Sequence, residues 1–107
     1  MTVDTTTLAA IINRCFAFSA DGRFSDAQQS SFLVDGKRLR GLLLNLLSAQ
    51  FSDGTQAVLD ANSRLTEVNT QLANDAAILN NAANALTNVS NLVGILDKLL
   101  NVAASFV

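Results

Sequence analysis

Counted from Val58, residues 58 to 107 place an apolar side chain at every seventh position without losing phase. The first positions of the repeat are Val58, Leu65, Leu72, Leu79, Leu86, Val93, Leu100 and Val107, and the fourth are Ala61, Val68, Asp75, Ala82, Val89, Leu96 and Ala103. From Thr55 onward neither Gly nor Pro interrupts the pattern before Gly94. A seven-residue apolar repeat of this kind predicts a long α-helix that buries one stripe against other helices. Asp75 is the one ionisable group on the seam. A polar residue at a single such site either sets register and oligomer number or marks a point where the seam opens to solvent.

Two further helices precede it. From about Thr6 to Ser19, Leu8, Ile11, Ile12, Cys15, Phe16 and Phe18 recur mostly at three- and four-residue spacings, after threonines suited to capping. Asp21-Gly22 then signals a turn, and Ser25 with Gln28 has the spacing of a capping box. The second helix is expected as one helix from Ser25 to about Phe51, with room for a bend near Asp35-Gly36, because a glycine inside a helix costs about 1 kcal/mol relative to alanine. Within it only Asn45 interrupts the leucines from Leu42 to Leu47. Apolar groups around the whole circumference require enclosure on several sides, which makes this segment the expected centre of the core. Asp53 and Gln56 again stand at capping-box spacing before the heptad stretch.

The expected fold is therefore all-α: a helical hairpin or bundle, one helical domain over residues 1–107, with a short first helix, an apolar middle helix and a long heptad-patterned third. Length limits how these pack. At 1.5 Å per residue the second helix spans roughly 40 Å and an unbroken third roughly 75 Å, so the first two cannot cover the third along its length. Either the third segment folds back near Asn80-Asn81 and completes a four-helix bundle, or its far half pairs with another copy or another protein. The uninterrupted phase favours the straight helix. Beyond residue 75 the apolar stripe widens through Ile78, Ala85, Leu92, Leu99 and Phe106, which suits a bundle of three or more helices.

Composition bears on function mainly by exclusion. Only 15% of the residues are charged against 50% apolar, and the formal net charge is -2, so phosphates have no general electrostatic reason to bind and no nucleic-acid partner is expected. The chain has no His, Trp, Tyr or Pro, which removes the commonest general base and the commonest nitrogen ligand for metals. Cys15 is the single cysteine, with no base to activate it. No Ser-x-x-Lys, Gly-x-Ser-x-Gly or glycine-rich phosphate loop is present. No enzyme activity, cofactor or metal is expected. The first seven residues carry no basic stretch leading into an apolar one, so no cleavable signal peptide is visible. Residues 76 to 96 lack charge, but Asn80, Asn81, Asn84, Asn88 and Asn91 would each need a partner in lipid, so no transmembrane helix is expected there.

Three features remain as candidate sites. The first is the heptad face itself, Val58, Leu65, Val68, Leu72, Asp75, Leu79, Leu86, Val89, Val93, Leu96 and Leu100, as a surface for a second copy or a helical partner. The second is Lys37, Arg38 and Arg40, a basic cluster beside the leucine run that could meet anionic lipid headgroups, which makes a membrane-active helical protein the alternative function. The third is Ser19 to Ser25, which resembles the middle of an EF-hand loop. With Gly22 as its turn glycine, Ser19, Asp21 and Phe24 fall on loop positions three, five and eight. The resemblance implies a calcium site only if carboxylates stand at positions one and twelve; here those are Ala17 and Gln28, so calcium is expected to have no effect.

Overall fold

The structure, a computed structural model, describes residues 2–52 and 55–103, and the backbone of 105–106. The all-α architecture expected from periodicity is found. Helix α1 is Thr5–Ser19, α2 Asp26–Ser48, α3 Gln56–Leu72, α4 Asp75–Asn80 and α5 Ala82–Leu100. The only β pairing among the described residues joins β1, Ala49–Gln50, to β2, Ser105–Phe106, antiparallel and two residues long.

Short-range chemistry explains the helix starts. Asp4, rather than a threonine, caps α1: its carboxylate accepts from the Thr7 N–H at 3.1 Å and from the Thr7 hydroxyl at 2.6 Å. Those bonds hold the Asp4 carboxyl below its ordinary pKa. At α2 the capping box forms as expected. Ser25 Oγ accepts from Gln28 N–H at 3.1 Å, and Gln28 Oε1 accepts from Ser25 N–H at 3.0 Å. At α3, Thr55 is the cap residue; its hydroxyl donates back to the Ser52 carbonyl instead of capping the helix N–H groups, and Asp53 lies outside the described residues.

The four longer helices surround one core in the order α1, α2, α5, α3, each packed on its two neighbours. Connected pairs run antiparallel: α1 turns into α2, and α3 returns as α5, with Asn88 Nδ2 donating to Gln71 Oε1 at 2.9 Å between them. Cross-pairs run parallel. Asp4 N–H donates to Asn62 Oδ1 at 2.7 Å near the start of both α1 and α3, and Arg14 Nη1 donates to the Leu72 carbonyl at 3.4 Å toward their far ends. Helices α2 and α3 thus occupy opposite corners, and just past the end of α2 Ala49 and Phe51 are buried against the core. At the other end Phe18, Phe24 and Phe32 close the core with ring centroids 5.1 to 5.4 Å apart, tilted or edge to face.

The heptad stretch is the main correction. It is not one straight helix: the molecule measures 42 Å along its longest axis, too short for a helix of roughly 75 Å. The chain leaves α3 at Ala73 and restarts at Asn74, whose side chain caps α4 by accepting from Ala77 N–H at 3.2 Å. It breaks again at Asn81, with φ −146° and ψ 57°, and returns as α5. The fold-back lies at the asparagines, and the break lets Asp75 leave the apolar seam, where an unpaired carboxylate would carry a large desolvation penalty. The buried phase changes across it. Helix α3 buries Val58, Ala61, Leu65, Val68 and Leu72, as the repeat predicts. Helix α5 buries Ala82, Ala85, Val89, Leu92, Leu96 and Leu99, so its stripe has turned and Leu86, Val93 and Leu100 are only half-buried. Because α5 packs between α2 and α3, its stripe centres on the side that serves both. Ala104 and Val107 lie outside the described residues.

Helix α2 is continuous through Asp35-Gly36, one helix as expected. Gly36 serves packing. A Cβ there would stand 3.1 Å from Phe16 Cε1 and 3.2 Å from Cys15 Cβ, so the missing side chain lets α1 and α2 approach closely. Nor is the leucine run the centre of the core. Leu46 is buried and Leu42 and Leu43 half-buried, but Leu44 and Leu47 are 66% and 63% exposed.

Candidate interaction surface

Helix α2 has an inner and an outer seam. Phe32, Leu39 and Leu46 point into the bundle at seven-residue intervals. Leu33, Lys37, Arg40, Leu44 and Leu47 follow one another at four- and three-residue steps along a second line, which a helix with 3.6 residues per turn gathers on one face. Every member of that line is exposed. Scattered apolar residues are ordinary on a protein surface, but three leucines aligned on one helix face form a stripe that water covers poorly. The signal was present in the sequence, in the spacing of Leu33, Leu44 and Leu47. Only the buried leucines beside them revealed which line faced out.

The basic cluster divides around this face. Lys37 and Arg40 lie on the stripe, and neither forms an ion pair among the described residues; the Arg40 guanidinium sits 5.6 Å from the centre of the Phe16 ring. Arg38 turns instead toward a groove between α2 and α5, which it lines with Asp35 at one level and with Gly41, Gly94 and Asp97 at the next. Asp35 is buried and accepts no hydrogen bond among the described residues. Burial pushes its carboxyl above the ordinary pKa, while the Arg38 charge pulls the other way.

The heptad face is largely used inside the chain. Val58, Leu65, Val68, Leu72, Val89 and Leu96 are buried in its own core; Leu79, Leu86, Val93 and Leu100 are half-buried against that core. Asp75 is exposed in the first turn of α4, so it lies off the seam.

The loop resembling an EF-hand has its oxygens engaged locally. Arg23 Nε and Nη2 donate to the Asp21 carboxylate at 3.0 and 2.6 Å, which holds the Asp21 pKa down to about 2. Ser19 Oγ donates to the Phe16 carbonyl, and Gln28 is taken up by the capping box. Cys15 is buried, and its thiol is pushed up to about 12, first by burial and then by the nearby Asp35 charge, which leaves it protonated and unreactive at neutral pH. Among the described residues no three His, Cys, Asp or Glu side chains converge as metal ligands, and no helix is long and apolar enough to cross a membrane. Comparison with known protein families, curated proteins and solved structures finds no match to this chain.

Proposed function

We propose that this chain is a non-enzymatic helical interaction protein that assembles with itself or with a helical partner through the outer face of α2. The observation that carries this is the exposure of Leu33, Leu44 and Leu47, at 37%, 66% and 63%, along one line of a rigid helix. Fully burying an exposed leucine is worth about 1.5–3 kcal/mol, so covering three that are partly exposed supplies several kcal/mol toward association. The heptad residues serve this role indirectly, by holding α2 against α5 with its second seam outward.

Multi-angle light scattering of the wild type and of Leu44→Ser/Leu47→Ser tests the proposal. Assembly, or retention of a helical partner, that disappears in the double variant is the expected result. An equally strong association after both leucines are removed would exclude α2 as the face.

Lys37 and Arg40 interleaved with those leucines favour a second reading, a helix lying on an anionic membrane surface. Co-sedimentation with anionic but not zwitterionic vesicles is the result that would support it.

A further inference from the structure

The cations on the α2 stripe constrain what can cover it, granted that α2 is the assembly face. A contact about a two-fold axis would set the patch against itself. It would bring the Lys37 and Arg40 side chains of both copies into one desolvated region. No carboxylate lies on that line between Leu33 and Leu47, and the nearest acid in phase, Asp26, stands seven residues before Leu33. Like charges brought together in an interface disfavour it strongly.

The helix at the opposite corner offers the complementary surface. On α3, Asp60 and Glu67 are both exposed and seven residues apart, hence on one side of the helix, with Leu59 48% exposed beside them. Their partners are local: Gln56 Nε2 donates to Asp60 at 2.9 Å, and Arg64, which stands between the two acids, lies 3.8 Å from Glu67 and with Lys98 of α5 lines a groove beside Asp60. On α3 itself two carboxylates against one guanidinium leave the outer face net acidic. Because α2 and α3 are diagonal in the bundle, their outer faces look in opposite directions.

We propose that the stripe on α2 of one copy docks on the acidic outer face of α3 of the next. Lys37 and Arg40 meet Asp60 and Glu67, and Leu59 gives the leucines an apolar counterpart. Such a contact uses two different patches, so every copy added leaves one free face of each kind, and association proceeds as an open chain instead of stopping at a dimer.

Charge reversal tests this directly. The average mass, from light scattering and sedimentation velocity, is followed against concentration and salt for the wild type, K37E/R40E, D60K/E67K and an equimolar mixture of the two variants. All four substitutions are at exposed positions, and circular dichroism checks that each variant folds. The expected wild-type mass rises past twice that of the chain with concentration and falls as salt is added. Each variant alone has two faces of one sign and stays monomeric. Their mixture assembles again, because the basic faces of one meet the acidic faces of the other. A wild-type mass that stops at a dimer and is unaffected by D60K/E67K would overturn this inference while leaving α2 as an assembly face. A wild type that is monomeric up to millimolar concentration would overturn self-assembly itself, and binding of that monomer to anionic vesicles would assign the stripe to lipid instead.

Discussion

Three helix-interior glycines should respond in opposite directions to the same substitution. A Cβ built at Gly41 or at Gly94 meets nothing within 4 Å, because both glycines line the open groove between α2 and α5. Replacing either with alanine then adds only helix propensity, about 1 kcal/mol. For a chain of this length 1 kcal/mol corresponds to about 4 °C in melting temperature. Gly41→Ala and Gly94→Ala should each raise the midpoint by that amount, and the pair shows whether two methyls in one groove add or couple. At Gly36 the same propensity gain is opposed. The methyl would press on Phe16 and Cys15 at 3.1 to 3.3 Å, and overpacking of that kind costs about 1–3 kcal/mol. Cys15 Cβ belongs to a buried helix face and cannot swing aside, so Gly36→Ala should lower the midpoint, by up to about 8 °C. Thermal and denaturant unfolding, followed by circular dichroism at low protein concentration, measures all four variants. A Gly36→Ala protein as stable as Gly41→Ala would refute the close approach of α1 and α2.

Other positions give equally direct outcomes. Asp35 has a raised pKa in the folded state, so the unfolded chain releases this proton first, and the contribution of Asp35 to stability falls as pH rises from about 4, the unfolded value, through the folded pKa. Asp35→Asn should therefore gain on the wild type over that interval in urea unfolding between pH 3 and 7, and a difference that does not vary with pH would contradict the burial. Asp4 and Asp21 act with the opposite sign: their lowered pKa values contribute stability above about pH 4, lost as pH falls through the folded values, so removing either should flatten the acid limb of the same titration. Phe32→Ala removes the fully buried member of the aromatic trio and should cost about 3–5 kcal/mol, read as a large drop in denaturant midpoint. Asp75→Leu should leave that midpoint within about 0.5 kcal/mol of the wild type, because the carboxylate is already exposed; a clear stabilisation would put Asp75 back on the seam.

Periodicity and capping chemistry, both read over a few neighbouring residues, determined the all-α class, the limits of α1, the start of α2 at the Ser25-Gln28 box and the buried residues of α3; the end of α2 fell at Ser48, before the expected Phe51, where Ala49 and Gln50 pair as β1. Both signals are local, and each depends on a helix's own geometry. What lay beyond them was decided by which helix came to rest against which. The heptad repeat kept its phase through residues 73 to 81 on paper, yet the chain breaks there, because folding α5 back on α3 covers both stripes and frees Asp75 from an apolar seam. The interaction face was hidden for the same reason. Leu42 to Leu47 is leucine on almost every side, so the spacing of Leu33, Leu44 and Leu47 marked a line on the helix without saying whether that line or its neighbour would be left in water. Only the placement of α1 and α5 on either side of α2 selected Leu46 for the core and left Leu44 and Leu47 outside, since a helix packed on two neighbours presents its remaining side to solvent whatever residues stand there.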